Sequence, residues 1–247
     1  MKKYQVVGIG NAIVDVISAA EDSFLAKMGI EKGIMQLVEK DRGEVLYAAM
    51  SDRIQAPGGS VANTLAGLGN LGLTTAFIGR VHDDALGRFY AKGMAEDGTD
   101  FVNPPVPGGE LPTSRSMIFV SKDGERLMNT YLGISSELGP QDVSDDVAGD
   151  TDYLFLEGYL YDKPKGKEAF ERAAKLCQQA GGKVAQAVEV VHGVFSVGVM
   201  VGAVSGAVGA VGGVVGGAAR GLVRAMSGGG RLGAPKEAAA CATEKEY

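Results

Sequence analysis

The sequence is poor in the residues that indicate an extracellular or a nucleic-acid-binding protein. Two of its 247 residues are cysteines, Cys177 and Cys241, and their spacing fits neither a disulfide framework nor a metal site. A reducing, cytoplasmic location is therefore expected, and no long apolar segment near Met1 predicts a signal peptide. Acidic residues outnumber basic ones, 30 to 24, giving a net charge of −6. Because nucleic-acid binding needs a basic face, we expect a small-molecule partner instead.

The sequence also lacks two common nucleotide-binding signatures. Gly8-x-Gly10 is followed by Ile13 where a dinucleotide fingerprint requires a third glycine. Gly67-x-Gly69-x-x-Gly72 has the required glycines, but it lies at the end of a predicted helix. A Rossmann turn instead leaves a strand and opens a helix. The sequence contains no G-x-x-x-x-G-K-[ST] segment either.

The most informative segment present runs from residue 55 to residue 87 and begins with a diglycine. Pro57, Gly58 and Gly59 predict a turn, because proline lacks a donor and glycine favours conformations closed to other residues. Ser60 has the position of a helix N-cap, and Val61 begins an apolar face with i+4 and i+7 spacing. Amide groups at such a junction suit hydroxyl or anionic ligands, although an ordinary loop-to-helix junction gives the same pattern.

Polar residues follow two predicted buried strands, at Tyr4–Ile9 and at 151–156. Asn11 and Asp15 come after the first strand, and Glu157 ends the second. In an open α/β sheet, ligands bind beyond the carboxyl ends of the strands. Since an ionised Asp accepts two hydrogen bonds, Asp15 suits a vicinal diol; the alternative is a solvated turn residue.

A hairpin is predicted between residues 116–120 and 126–131. The intervening Asp123-Gly124 favours a two-residue type I′ turn. Together with a predicted strand at 33–38, this hairpin forms a small second sheet. Such a sheet either closes over a site and excludes water or is a plain structural hairpin.

Several of these segments resemble the ribokinase-like, or PfkB, family of carbohydrate and nucleoside kinases. The matching runs are GIGNAIVDV at 8–16, PGGSVANTLAGLGNLG at 57–72 and FIGRVHDDALG at 77–87. Two more, RLMNTYLGISSELGPQDV at 126–143 and LEGYLYD at 156–162, are most similar to bacterial adenosine kinases. The resemblance covers about residues 4–183. It implies a three-layer α/β/α core with a small β-sheet lid, in which the C-terminal part of the core is missing or replaced.

The resemblance also implies a substrate site. Its candidate residues are Asn11, Asp15, Gln36, Gly58, Gly59, Asn63, Asn129 and Glu157. Asp15 and Asn63 hold the ribose hydroxyls in this interpretation, and the diglycine amides allow close approach. Asn11 lines the same pocket, Gln36 and Asn129 belong to the lid, and Glu157 contributes to the floor.

The donor side departs from the family pattern. The family uses ATP and Mg²⁺, with an Asn-x-x-Glu element for magnesium and a Gly-Ala-Gly-Asp turn whose Asp is the catalytic base. In this sequence the last Asn is Asn129 and the last Asp is Asp162. We therefore assign no catalytic or metal-binding residue. The expected function is phosphoryl transfer from ATP to a hydroxyl of a ribonucleoside or sugar, adenosine favoured; the alternative is a catalytically inactive kinase fragment.

The predicted domain division reflects a change of composition. Residues 1–183 form a partial ribokinase-like domain, and residues 184–247 form a Gly/Ala/Val-rich low-complexity tail. No residue of 193–219 is charged. A shifted reading frame in GC-rich DNA explains this tail; the alternatives are a membrane-associated or self-associating segment through 193–219 and a flexible tail.

Overall fold

The computed structural model describes residues 1–109, 111–190 and 194–198, which form two β-sheets flanked by helices. The main sheet has the strand order β11-β10-β9-β1-β5-β6 and is parallel except for β11. Its strands are β1 (Tyr4–Ile9), β5 (Thr75–Ile78), β6 (Thr99–Phe101), β9 (Thr151–Glu157), β10 (Lys183–Val190) and β11 (Val194–Gly198).

The second sheet has five strands in the order β3-β8-β7-β2-β4 and mixes parallel and antiparallel pairs. These strands are β2 (Ile13–Ala19), β3 (Met35–Leu37), β4 (Ile54–Gly58), β7 (Ser114–Val120) and β8 (Arg126–Tyr131). The helices are α1 (Asp22–Lys27), α2 (Lys40–Ala49), α3 (Ser60–Asn70), α4 (Ala85–Glu96), α5 (Asp145–Ala148) and α6 (Pro164–Gln179). Three short 3₁₀ helices cover Gly133–Glu137, Pro140–Asp142 and Gly158–Asp162.

Strand β1 shows why the main sheet lies between two helical layers. Its apolar run is buried on both faces, as expected of a central parallel strand. Val6 belongs to a core shared with α3 and α4, whereas Val7 belongs to a core shared with α6. Cys177 lies in the second core, as the helical periodicity predicts. This arrangement confirms the predicted α/β class, with a second, smaller sheet beside the main one.

Five of the described strands are absent from the sequence-based prediction, namely β2, β4, β6, β10 and β11. The prediction treated Asn11 to Asp15 as a segment past β1, but Asp15 lies within β2. Pro57 and Gly58 do not form a turn, because they end the edge strand β4, where proline needs no ladder partner on its outer side. Strand β6 was also not predicted. The predicted strand at 33–38 is confirmed but shorter, and Met35 and Leu37 are exposed.

The hairpin is confirmed, but its predicted type I′ turn is wrong. Val120 pairs with Arg126, so the loop is longer than two residues. The Gly124 N–H donates to the Ser121 carbonyl (2.9 Å), and the Ser121 N–H donates to the Glu125 carbonyl (3.1 Å). Only Gly124 in this loop has a positive φ, whereas a type I′ turn needs one at both central residues.

The domain boundary predicted after residue 183 falls inside a strand. Strand β10 begins at Lys183 and continues the parallel sheet beside β9. Most of the proposed tail, including most of the segment 193–219, lies outside the described residues. Among the residues that are described, no helix is long and apolar enough to cross a membrane.

Candidate functional site

The carboxylate of Glu157 lies at the carboxyl end of β9 and is almost fully buried. Its Oε2 atom accepts hydrogen bonds from the Asn11 backbone N–H (2.7 Å) and from Asn11 Nδ2 (3.2 Å). Its Oε1 atom accepts one from Ser60 Oγ (2.5 Å). Burial raises the pKa of Glu157 above its ordinary value, and these hydrogen bonds oppose the shift by favouring the ionised form. Glu157 and Asn11 therefore meet at the sheet edge, where the sequence predicted them.

Ser60 has a different role from the predicted one. The N-cap of α3 is Gly59, and Ser60 is the first helical residue. Its hydroxyl faces Glu157 instead of capping the helix. A serine between a diglycine and an apolar helical face gives the same sequence pattern whether it caps the helix or is its first residue. The sequence alone therefore does not distinguish the two positions.

The diglycine lies where two segments of backbone and a carboxylate crowd together. Gly59 has φ +105°, and a Cβ there would collide with the Asn11 carbonyl oxygen. A Cβ at Gly58 would lie 2.6 Å from the Asp15 carboxyl carbon. The buried Tyr90 hydroxyl on α4 donates to the Gly58 carbonyl (3.0 Å). A side chain at Gly59 would therefore collide with backbone, one at Gly58 would require Asp15 to move, and Tyr90 is a candidate site residue that the sequence did not reveal.

Asp15 occupies the middle of β2 and faces the diglycine, in a partly buried position. Burial raises the pKa of its carboxyl to about 6, although the positive charge of Arg126 lowers it. Asp15 pairs in register with Ser116, and Ser116 with Thr130. Because paired residues share a face of a sheet, these polar side chains lie on the same face as Asp15.

Gln36 and Asn129 are not brought to this face. Asn129 is the neighbour of Thr130 in β8, so it points to the opposite side of the sheet. It pairs with Gln36, whose Nε2 donates to Asn129 Oδ1 (3.1 Å). On that side the core contains Met117 and Leu46 of α2, and Asn129 is 1% exposed. Both residues therefore lie in the second sheet but on the face opposite Asp15, since one residue of register decides the face. Their role in a lid stays a prediction.

The predicted residue Asn63 lies in the first turns of α3, where its backbone N–H donates to the Gly59 carbonyl (2.9 Å). Its side chain is exposed. It therefore stands close in sequence to the diglycine and is open to a ligand approaching from solvent.

A third serine joins the site from the segment after β8. Ser135 is fully buried, and its single hydroxyl proton is shared between two acceptors, Asn11 Oδ1 (3.0 Å) and the Leu132 carbonyl (2.7 Å). Nothing in the sequence pattern singled out Ser135. The local sequence signal of a constrained backbone is Gly133, which has φ +46° and is the second residue after β8.

The donor side is not represented in the described residues. Within 1–109, 111–190 and 194–198, no three His, Cys, Asp or Glu side chains converge as a metal site requires. No residue in this part of the chain is therefore assigned to a metal ion.

The chain combines a main parallel sheet with a second mixed sheet, and an acidic side chain of the second sheet faces a diglycine. These features define a ribokinase-like protein. The pfkB family of carbohydrate kinases matches residues 23–190, and the chain belongs to this family. The family match extends beyond the predicted boundary at residue 183, in agreement with strand β10.

Two solved structures have the same fold at appreciable sequence identity. One is described as adenosine kinase from Sinorhizobium meliloti: the identity is 47%, the TM-score is 0.68, and the match covers 74% of this chain and 56% of that one. The other is a probable sugar kinase from Rhizobium etli CFN 42, with 43% identity, a TM-score of 0.68 and coverage of 75% and 56%. These likenesses confirm the predicted resemblance.

Among curated proteins, a fructokinase from Klebsiella pneumoniae is 30% identical over 134 residues, which is 53% of this chain and 43% of that protein. The chain thus spans less than half of this curated relative and little more than half of the two solved structures. The family match at residues 23–190 includes the diglycine and Glu157.

Proposed function

We propose that the chain carries the acceptor site of a kinase that transfers the terminal phosphoryl group of ATP to a hydroxyl of a ribonucleoside or sugar, with adenosine favoured. The observation that carries the proposal is the placement of the Asp15 carboxylate against Gly58, which directly precedes Gly59, the N-cap of helix α3. The family supports a sugar or nucleoside acceptor. The similarity to the Sinorhizobium protein supports adenosine.

The chemistry of the acceptor follows from the ionisation of Asp15. An ionised carboxylate accepts two hydrogen bonds at once, and hydrogen bonds to charged groups are the stronger ones. With a pKa of about 6, Asp15 is mostly ionised at pH 7. The neutral acid presents a donor instead and matches a diol less well. Acceptor binding should therefore strengthen as the pH rises from about 5 to about 7.

A second candidate function is acceptor binding without turnover. The observation that favours it is the absence of any Asn after Asn129 and of any Asp after Asp162, which removes the family's magnesium element and catalytic base from this sequence. In that case the chain binds a nucleoside or sugar at Asp15 but does not phosphorylate it. The two candidates share the acceptor site and differ only in phosphate transfer.

Titration calorimetry of the full chain with adenosine, at pH 5 and pH 7, tests the shared acceptor site. We expect the Asp15→Asn variant to bind roughly 10- to 100-fold more weakly at pH 7, because it loses hydrogen bonds to a charged group. The variant should also lose the pH dependence. Asp152→Asn, which changes an exposed carboxylate at the opposite end of β9, is the matched control. Equal affinity of the wild type and Asp15→Asn would refute the site.

An assay of labelled-phosphate transfer from ATP to adenosine, with and without Mg²⁺, separates the two candidates. Turnover within tenfold of an intact relative supports the kinase. Binding at Asp15 with no transfer above background supports the non-catalytic chain. Ribose and fructose as alternative acceptors test whether adenosine is preferred.

A further inference from the structure

The described chain crosses between the two sheets four times. The crossings are residues 10–12 between β1 and β2, Gly59 between β4 and α3, the described residues 102–109 and 111–113 between β6 and β7, and Leu132 between β8 and the 3₁₀ helix Gly133–Glu137. The orientation of the second sheet over the main sheet depends on these segments. Since Asp15 belongs to the second sheet and Glu157 to the main sheet, the crossings also set the shape of the candidate site.

Three of the four crossings are linked to one buried carboxylate, two of them directly and the third through Asn11. Glu157 accepts hydrogen bonds from Asn11 of the first crossing and from the Ser60 hydroxyl directly after the second. The backbone N–H of Ser60 also stabilises the charge of this carboxylate. Ser135, just past the fourth crossing, joins through Asn11 Oδ1. Glu157 itself is anchored at the end of β9, in the centre of the main sheet.

The network fixes the orientation of each member. The Asn11 amide donates to Glu157 through Nδ2 and faces the Ser135 hydroxyl through Oδ1, so a flipped amide would set its oxygen against the Glu157 carboxylate and lose that contact. Asn11, Ser135 and Glu157 are 4%, 0% and 3% exposed, so water does not readily replace a lost partner. A buried polar group without its partner is costly, and the contacts should therefore break together.

We propose that Ser60 and Ser135 are positioning residues of a hinge lock centred on Glu157, which holds the second sheet at a fixed angle to the main sheet. Neither serine is within the set of acceptor ligands proposed above. Their effect on acceptor binding would come through the position of Asp15, and this part of the inference rests on the proposed function. The hinge itself does not.

Hydrogen–deuterium exchange on the ligand-free full chain tests the hinge lock directly. In the Ser135→Ala variant, we expect faster exchange not only near residue 135 but also in peptides covering residues 10–12 and 58–60. The expected acceleration is about threefold to tenfold, the change that the loss of one ordinary hydrogen bond produces. A purely local role of Ser135 would leave those two distant crossings unchanged, and that result would overturn the proposal.

Ser136→Ala is the matched control for this experiment. Ser136 lies in the same 3₁₀ helix, but its hydroxyl donates only to the nearby Gly133 carbonyl (2.8 Å). We expect its effect to stay within the peptide that contains it. Exchange in α6 reports on global unfolding, because this helix packs in the other core. If α6 accelerates by the same factor as the crossings, the molecule opens as a whole and there is no separate hinge.

Ser60→Ala provides a second, independent variant with its own control. It removes the contact to Glu157 Oε1 from a different crossing, so exchange should accelerate around residues 10–12 and 132–137. Thr64→Ala removes a hydroxyl of the same helix that donates only to the Ser60 carbonyl (2.8 Å) and should leave both regions unchanged. Failure of both serine variants to affect a distant crossing would overturn the hinge lock.

Calorimetry with adenosine then separates the hinge from the acceptor site. If the wild type does not bind adenosine but the serine variants open the crossings, the hinge stands and the proposed function fails. If adenosine binds and both variants leave the distant crossings unchanged, the acceptor site stands and the hinge fails. If both hold, Ser135→Ala should weaken adenosine binding about threefold to tenfold, with Ser136→Ala unchanged.

Discussion

Gly58 lies directly against the Asp15 carboxyl group in the candidate acceptor site. Its α-carbon faces the Asp15 carboxyl group, and a methyl group there would lie 2.6 Å from the carboxyl carbon and one of its oxygens. Atoms of this kind do not approach so closely without a shift of the backbone or the side chain. We expect Gly58→Ala to displace Asp15 and to weaken adenosine binding by at least tenfold, as measured by calorimetry.

Gly67→Ala is the control for the Gly58 substitution. Gly67 lies inside α3, and a Cβ there has open space around it, with no atom within 4 Å. Because alanine favours a helix interior over glycine, this variant should keep its affinity and gain up to about 1 kcal/mol in the free energy of unfolding. Unchanged adenosine affinity in Gly58→Ala would show that Asp15 does not depend on the close approach.

At the scale of single residues, the sequence predicted positions better than contacts. Glu157 and Asn11 were found because both follow buried strands, and the sheet edge brings such residues together. Gln36 and Asn129 were assigned to the lid without a face, because the side of a strand on which a residue lies depends on register, which needs the pairing partner. Tyr90 and Ser135 were missed because an apolar helix and a short loop give no signal of the polar group they reach.

Helix α4 packs against edge strand β4 and supports the backbone of the diglycine. Tyr90 donates to the Gly58 carbonyl, and Gly93 lets Pro57 pack against the helix, where a Cβ would collide. Burial, together with the negative charges of Glu157 and Asp15, raises the pKa of Tyr90 well above its ordinary value. Tyr90 therefore stays neutral and acts as a donor throughout the ordinary pH range.

Tyr90→Phe should weaken this contact without creating a cavity. The ring remains, but the buried Gly58 carbonyl loses its donor, which costs about 1–3 kcal/mol in the free energy of unfolding. Chemical denaturation measures this loss, and calorimetry should show weaker adenosine binding because the Gly58 backbone is less well held. Tyr161→Phe, at an exposed position in the 3₁₀ helix after β9, is the comparison. Equal stability of wild type and Tyr90→Phe would show that the Tyr90 hydroxyl does not stabilise the Gly58 backbone.

Element types were predictable where the apolar pattern was strong, and boundaries were not. Strand β2 was missed because only three residues separate it from β1, and no turn signal marks the change of sheet. Strand β4 was missed because it contains Pro57, which is tolerated only since β4 lies at an edge. The hairpin was found from its alternation, although Asp-Gly alone did not fix its turn.

At the scale of the whole molecule, the arrangement of the two sheets places two carboxyl groups in surroundings that disfavour their charge. The pKa of Asp15 is about 6, and burial also raises that of Glu157. This arrangement was not predictable from the sequence, since desolvation depends on how the second sheet covers the first. Composition and strand order still predicted the α/β class, because each central strand is a continuous apolar run.

These raised pKa values determine the sign of the pH dependence of stability. Between about pH 4 and pH 6 the native state holds more protons than the unfolded chain, in which Asp has a pKa of about 3.9. The free energy of unfolding therefore falls as the pH rises through this window. Below it, the lowered pKa of Asp84, whose carboxylate accepts hydrogen bonds from Thr113 and Gly87, has the opposite effect.

Urea denaturation at pH 4.5 and at pH 6.5 measures this effect. We expect the wild type to lose about 1–3 kcal/mol between the two values, the upper limit being a two-unit shift at 1.36 kcal/mol per unit, reduced by solvent screening. Asp15→Asn should show a much smaller loss, because only the raised pKa of Glu157 remains. Asp123→Asn at the hairpin tip should keep the full loss, because hydrogen bonds from Ser121 and Lys32 hold the pKa of Asp123 at about 2, below the window. A wild type whose stability rises over this window would show that neither carboxyl is desolvated by the packing of the two sheets.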